Sequence, residues 1–401
     1  MNRPFDLVLF GATGFTGRLV AEYLAAHAPV GVRIALAGRS AKKLEEIRAT
    51  LGDAAKAWPV IVADSSDPAS LERMAAQTKV VCTTVGPYQK YGLPLVEACA
   101  KAGTHTCDLT GEPLFMRESI DRFDAVAKQS GARIVHTCGF DSIPSDLGVL
   151  AVHEALGKLA RVTYVVEVLK GGFSGGTVAS LLTSLDAVKA DRSKLRVMGD
   201  PYGLSPDRAQ EPKLGNERDL NGFRFDDFVG QWVAPFIMAS INTRVVRRSN
   251  ALLGYAYGRS FRYAEVMGMK RGPRAMLNAA ALAGGMGLFM GALLVGPTRR
   301  LLEARLPKPG EGPSEQTRKN GFLRLKLFAE SESGVRKTLE ITGRGDPGYQ
   351  LTACILGEAA LCLALDEAKL PKVAGVLTPA TAMGRTLIDR LIAAGMTFAF
   401  V

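Results

Sequence analysis

The residues best placed to do chemistry come early in the chain. Gly11-Ala12-Thr13-Gly14-Phe15-Thr16-Gly17 sets three glycines at GxxGxxG spacing. The apolar run Phe5–Phe10 precedes them, and in Arg18–Ala26, which follows, Leu19, Val20, Tyr23 and Leu24 recur at helical spacing. Glycine at 11 permits a tight turn, at 14 lets a bulky anion approach the backbone, and at 17 lets the helix sit close to the strand. The helix start then turns amide hydrogens toward that anion, so the segment predicts a dinucleotide diphosphate site. A second apolar run, Arg33–Ala37, ends at Gly38-Arg39-Ser40-Ala41-Lys42-Lys43, with no acid before Glu45. An acid there would hold ribose hydroxyls; Arg39 and Ser40 instead suit a 2′-phosphate, which predicts NADP(H) over NAD(H). Lys42 and Lys43 read equally well as solvated helix residues.

Such a site needs parallel strands that deliver loops from their C-terminal ends. Asp64 ends a third run, Pro59–Ala63, where it would lie beside the adenine or cap a helix over Ser66–Ala76. Val85-Gly86-Pro87 follows a fourth, Val80–Thr84, and offers backbone that can run along the nicotinamide ribose. Leu93–Ala102 predicts a helix, and Thr104–Asp108 and Arg133–Thr137 predict strands. Strands and helices alternating at these lengths predict an α/β fold with a Rossmann-type doubly wound parallel sheet over residues 1–150.

The 401 residues suffice for two domains, and 47% hydrophobic with 22% charged residues is the composition of a folded protein. A net charge of +11 suits an anionic partner: a phosphorylated cofactor, an acidic lipid surface or nucleic acid. No nucleic-acid module stands out and aromatics are 7%, so nucleic acid ranks last. The six cysteines form no CxxC pair and the four histidines are scattered, so no metal site is expected and the thiols read as reduced and cytoplasmic. Residues 275–296, AMLNAAALAGGMGLFMGALLVG, carry no charge, yet Lys270, Arg271 and Arg274 precede them and Arg299, Arg300 and Arg305 follow. As a helix this stretch is long enough to cross a ~30 Å hydrocarbon core. It reads as a transmembrane span, a buried core helix or a segment dipping into one leaflet. The basic flanks favour the last, a protein peripherally attached to an anionic membrane.

GATGFTG, AGRS, VVCTTVGPYQKYGLPLVEAC, CDLTGEP and GFDSIPSDLG, in this order, resemble the saccharopine dehydrogenase-like oxidoreductases, and GRGDPGYQLTACILGEAALCLA and GVLTPATAMG extend the resemblance over nearly the whole chain. The nearest branch is that of the enoyl reductases, including bacterial trans-acting enoyl reductases of polyketide-lipid synthesis. The resemblance implies an NADP-type Rossmann domain, then a mixed α+β substrate or dimerisation domain over 151–365, then a return of 366–401 to the first domain. The sequence agrees: Val162–Leu169, Phe261–Met267, Phe322–Ala329 and Val335–Thr342 read as strands, and Thr177–Lys189 and Tyr349–Leu365 as helices. Gly199–Gly222 and Pro307–Gly321 read as mobile loops. An amino-acid substrate with several carboxylates would call for convergent arginines in the second domain; the apolar 275–296 stretch points instead to lipid.

An enoyl reductase needs a donor for negative charge forming on a thioester oxygen, and an acid for the α-carbon. Neither step needs a covalent nucleophile or a metal. Tyr88, Asp141 and Ser142 are the first candidates, with Tyr88 foremost because a phenol can serve both roles. Tyr91, Ser174, Thr177 and Tyr349 are further ones. Each has a plainer reading: Tyr88 packing on ribose, Ser142 and Asp146 capping a helix that holds Pro144, Asp346 and Gly348 making a turn. The expected function is NADPH-dependent reduction of a small-molecule or carrier-bound lipid substrate, with room for a homodimer. Imine or carbonyl reduction, or a non-catalytic nucleotide-binding protein on a lipid surface, are the alternatives.

Overall fold

The computed structural model describes residues 3–171, 175–305 and 312–401. The first half runs β1 (Phe5–Phe10), α1 (Phe15–His27), β2 (Ile34–Gly38), α2 (Ala41–Thr50), β3 (Val60–Val62), α3 (Pro68–Ala76), β4 (Thr78–Thr83), α4 (Tyr88–Ala102), β5 (His105–Asp108), α5 (Pro113–Ser130) and β6 (Arg133–Val135). These strands and β13 (Gly375–Leu377) form a seven-stranded sheet in the order β13-β6-β5-β4-β1-β2-β3. Every pairing in it is parallel. The order reverses between β1 and β4, which places a crevice at their C-terminal ends. Alternation in β1 divides the two faces: Leu7 and Leu9 point into one core with α1, and Val8 and Phe10 into another with α3, α4 and α5.

The second half continues with α6 (Ile143–Leu156), β7 (Leu159–Lys170), α7 (Gly175–Ala190), α8 (Lys194–Gly199), β8 (Arg224–Asp226), β9 (Gln231–Pro235), α9 (Ala239–Leu252), β10 (Arg262–Gly268), α10 (Pro273–Leu294), α11 (Gly296–Glu303), α12 (Glu315–Lys319), β11 (Phe322–Ser331), β12 (Arg336–Arg344) and α13 (Gln350–Leu365). After β13 come α14 (Pro379–Ala382), α15 (Gly384–Ala393) and β14 (Thr397–Phe400). The second sheet is mixed, in the order β14-β12-β11-β7-β10-β9-β8. Thus the segment 366–401 divides: β13 joins the first sheet beside β6, and β14 joins the second beside β12. Helix α13 packs on α1, β1, β4 and β5, so it covers the first sheet.

Two sequence expectations change, and one of the alternatives for 275–296 falls away. Helix α4 starts at Tyr88 and runs through Pro94, five residues before the expected Leu93, so Tyr88 and Tyr91 are helical. The segment 199–222 is largely irregular but pinned: Arg244, Arg247 and Arg248 of α9 are buried and reach into it. Arg244 pairs with Asp219, Arg247 donates to the carbonyls of Pro201 and Glu217, and Arg248 donates to the carbonyl of Leu204 at 2.7 Å. Convergent arginines therefore exist in the second domain, but they hold Asp219 and backbone carbonyls, including that of Val376 in the first sheet. Helix α10, finally, is no core helix. Only 11% of its most apolar window is buried, and Leu277, Leu288 and Leu294 stand 63%, 78% and 71% exposed.

Candidate functional site

The glycine loop sits at the C-terminal end of β1, and its three glycines differ in what they tolerate. Gly11 has φ +96°, and a Cβ there would meet the Thr84 hydroxyl at 2.7 Å. A Cβ on Gly17 would lie 2.0 Å from the Gly11 carbonyl oxygen, so α1 can approach β1 only without a side chain at 17. Gly14 is exposed and its nearest obstruction is 3.4 Å away, so its need for glycine is not internal. No side chain caps α1 at Gly14, which leaves first-turn amides open toward solvent. An open helix start over a bare backbone is the surface a diphosphate requires. Ala12 is buried and braces the loop from below, while Thr13 and Gly14 are exposed and Phe15 and Thr16 half-buried.

On the β2–β3 side, Arg39 is exposed and makes no hydrogen bond among the described residues. Ser40 caps α2, accepting from the Lys43 amide at 3.4 Å. Asp64 accepts from the Ser66 amide and hydroxyl, at 2.9 and 2.8 Å, which holds its carboxyl below the usual range, with the Arg39 charge adding to the effect. It does not cap a helix; Asp67 caps α3. Arg39, Ser40 and Asp64 thus meet at one end of the crevice, with a guanidinium free for a phosphate.

On the other side lie Val85, Gly86 and Pro87, then Tyr88. Gly86 is exposed and Val85 and Pro87 half-buried. Tyr88 is buried, and its hydroxyl donates to the Thr83 carbonyl at 3.2 Å and accepts from the Leu109 amide at 3.1 Å. Burial first, then the nearby Asp108 charge, push its pKa well above the ordinary value. Both roles foreseen for this phenol are therefore taken by β4 and the loop after β5. Tyr91 is half-buried under Lys90.

Asp141, after β6, is half-buried and has no hydrogen-bond or ion-pair partner among the described residues; burial pushes its carboxyl up to about 6. Its neighbour Ser142 is fully buried and donates to Asn242 Oδ1 at 2.9 Å rather than capping α6. Asn242 in turn donates to Glu265 at 2.8 Å, and Tyr263 donates to the other oxygen of Glu265 at 2.7 Å. Burial pushes Glu265 up to about 8. Ser142 is thereby tied into the seam between α6, α9 and β10. Asp146 ties α6 to α9 and α14 through Ser249 and the Ala380 amide, and burial pushes it up to about 7. Ser174 lies outside the described residues, as does the Thr177 side chain. Tyr349 is buried, stacks edge-on against Phe15 with ring centres 4.7 Å apart, and accepts from the Gly175 amide at 3.2 Å.

Two arrangements could not be seen from spacing. Glu112 of the DLTGEP segment is 1% exposed. Its Oε1 accepts from the Tyr88 amide at 2.9 Å and from Ser180 Oγ at 2.6 Å, and its Oε2 from the Gln89 amide at 2.7 Å. It caps α4 from another loop and so fixes the exit of the Gly86-Pro87 turn. Burial raises its pKa, and these three bonds hold the rise down. A Ser-His-Asp row also exists, assembled from residues that no spacing in the chain connects. Asp108 bonds His136 Nδ1 at 2.6 Å, and His136 Nε2 bonds Ser119 at 2.9 Å. All three side chains are buried, so the row braces β5, β6 and α5 and presents no nucleophile.

A doubly wound parallel sheet with an open glycine loop at its reversal point, and a free arginine where a ribose phosphate would lie, defines an NADP(H)-dependent oxidoreductase. Residues 7–135 match the saccharopine dehydrogenase NADP binding domain. The chain belongs to the saccharopine dehydrogenase-like family, in its trans-acting enoyl reductase branch. It is 45% identical over 409 residues to the trans-acting enoyl reductase of Mycobacterium ulcerans, covering 98% of this chain and 97% of that protein. To a Mycobacterium tuberculosis protein assigned by inference to the same activity it is 49% identical over 410 residues, again covering 98% and 97%. The fold is that of the yeast saccharopine dehydrogenase (L-Glu forming), with a TM-score of 0.53 at 14% identity, over 98% of this chain and 99% of that one.

Proposed function

We propose that this oxidoreductase is an enoyl reductase acting on a long-chain, carrier-bound lipid or polyketide-lipid precursor at an anionic membrane surface. The relatives that share its whole length carry the trans-acting enoyl reductase name. When bound, the dinucleotide supplies a hydride for the β-carbon of an α,β-unsaturated thioester. Gly11, Ala12, Thr13, Gly14, Phe15, Thr16 and Gly17 hold its diphosphate, Arg39 and Ser40 its 2′-phosphate, Asp64 the adenosine end, and Val85, Gly86 and Pro87 the nicotinamide ribose. Asp141 replaces Tyr88 as the proton donor to the α-carbon. It is partly open, lacks a competing partner among the described residues, and its carboxyl at about 6 is close enough to neutrality to carry a proton in the working enzyme. Ser142 positions it through the bond to Asn242.

The observation that carries the lipid reading is α10. It is long and apolar enough to reach across a bilayer, yet it stands exposed on the protein. A span is disfavoured because β10 before it and β11 after it both pair with β7. Its far end is also tied back, through the Arg299 ion pair with Asp186 of α7, whose second contact measures 2.8 Å. That pair removes Arg299 from the expected lipid contacts and leaves exposed Lys270, Arg274, Arg300 and Arg305. A helix lying in one leaflet fits these facts. The test joins two readouts: NADPH oxidation with a long-chain 2-enoyl thioester, and co-sedimentation with vesicles containing phosphatidylserine. Turnover is expected, as is binding that weakens when Arg274, Arg300 and Arg305 become Glu, or Leu277, Leu288 and Leu294 become Ser. A wild-type protein that consumes no NADPH and stays in the supernatant at low salt would overturn the proposal.

A further inference from the structure

Helix α7 leaves its apolar stripe half open. Ser180 and Ser184, one turn apart, face the protein: Ser180 donates to buried Glu112, and Ser184 is itself buried. Leu181, Leu185 and Val188 recur at i, i+4 and i+7, about a quarter-turn round the helix, and all three are only half-buried. An amphipathic helix normally buries its apolar stripe and exposes its serines. Here the serines are the better covered and the apolar stripe stays half open, which leaves room for a ligand that is apolar along its length.

The ties of α7 say where that ligand would run. The amide of Gly175 bonds Tyr349, whose ring rests on Phe15 of the glycine loop. Ser180 bonds Glu112, which caps the helix after Gly86-Pro87. The N-terminal half of α7 therefore reaches both sides of the dinucleotide crevice. At its other end, Asp186 pairs with Arg299 of α11, the helix that follows exposed α10. Asp186 lies eleven positions after Gly175, and at ~1.5 Å rise per position the helix covers about 16 Å between the crevice and α11. We propose that α7 is one wall of an acyl-chain site, with Leu181, Leu185 and Val188 lying against the chain from the nicotinamide side of the crevice toward α10. The proposal rests on the lipid reading above and adds the residues that select for chain length.

The experiment measures binding separately from turnover. Calorimetry compares dodecanoyl-coenzyme A with butanoyl-coenzyme A on the full-length protein, using wild type, the double variant Leu181→Ser/Leu185→Ser, and Val188→Asp as an independent second variant. Circular dichroism and NADPH affinity report whether each variant is folded. Wild type is expected to prefer the longer chain by roughly 10-fold or more, since every buried methylene adds to burial. Both variants are expected to lose most of that preference. A wild type indifferent to chain length, or variants that keep the preference, would overturn the proposal. If chain-length selection follows α7 but no 2-enoyl thioester is reduced, the acyl site stands and the enoyl reductase reading fails.

Discussion

Removing the Glu112 carboxylate should loosen the nicotinamide side of the site in a graded way. The carboxylate is 1% exposed and takes three donors, two of them backbone amides at the start of α4. In Glu112→Ala, Ser180 can turn its hydroxyl elsewhere, but the Tyr88 and Gln89 amides lose their acceptor. At about 1–3 kcal/mol for each stranded donor, the loss is about 2–6 kcal/mol. The carboxylate itself is raised by burial, so deleting it also relieves a desolvation cost and moves the expectation to the lower half, about 2–4 kcal/mol. Glu112→Gln can place its amide oxygen where Oε1 lies and keep Tyr88 and Ser180. Its NH2 group then faces the Gln89 amide, donor against donor, for about 1–2 kcal/mol. Urea denaturation followed by circular dichroism gives the stabilities, and fluorescence titration gives NADPH affinity. Both should fall in the order wild type, Gln, Ala, because the Gly86-Pro87 turn is anchored through the same amides. An alanine variant within about 0.5 kcal/mol of wild type, binding NADPH equally well, would show that Glu112 sets neither.

Other outcomes follow from the same geometry. Arg39→Ala should weaken NADPH by roughly 10- to 150-fold, the value of one charge-assisted phosphate contact, and leave NADH binding nearly as it was; equal binding of both cofactors by wild type would remove the basis for this. Gly14→Val should give a folded protein that no longer binds dinucleotide, because nothing closer than 3.4 Å opposes its Cβ while the added side chain would occupy the open surface proposed for the diphosphate, whereas Gly17→Ala should fail to fold normally, its Cβ placed 2.0 Å from a backbone oxygen; melting curves with cofactor titration separate the two. Glu265 carries a folded-state pKa of about 8 against an ordinary 4.5, so its proton is favoured by folding: the stability is full below the unfolded value and is lost as pH rises through about 8. The unfolding free energy should therefore fall between pH 5 and pH 8 by an amount on the order of 4 kcal/mol, and Glu265→Gln should flatten that fall.

Local pattern carried much of the first sheet. β1, the glycine loop and α1 are written in a run of neighbours, and so are the Arg39-Ser40 ending and the apolar character of 275–294. What stayed hidden depends on partners far apart in sequence. Glu112 reads as one acid in a loop until Ser180, 68 residues on, meets it. Tyr88 looks available until folding places Thr83 and Leu109 on its hydroxyl. The expected helix start at Leu93 misses the trans-cap by Glu112, which lets α4 begin at Tyr88. Helices α5, α9 and α15 and the strands β8, β9 and β14 are among the elements that local pattern did not carry. The last three are only three to five residues long and are defined by their sheet partners. Nor could an apolar stretch reveal whether its apolar faces would be covered.

The position of α13 has a consequence for the order in which this chain can mature. Its residues Ala353, Ile355, Leu356 and Ala359 share one core with Leu7 and Leu9 of β1. The α1 face of the nucleotide-binding sheet therefore stays only partly covered until residue 365 has been synthesised, and β13, which pairs with β6, arrives later still. The earliest part of the chain is thus among the last to be finished. A nascent protein of this design holds an unclosed sheet while the exposed helix α10 emerges, which sets up a race between closing the cofactor fold and meeting a lipid surface.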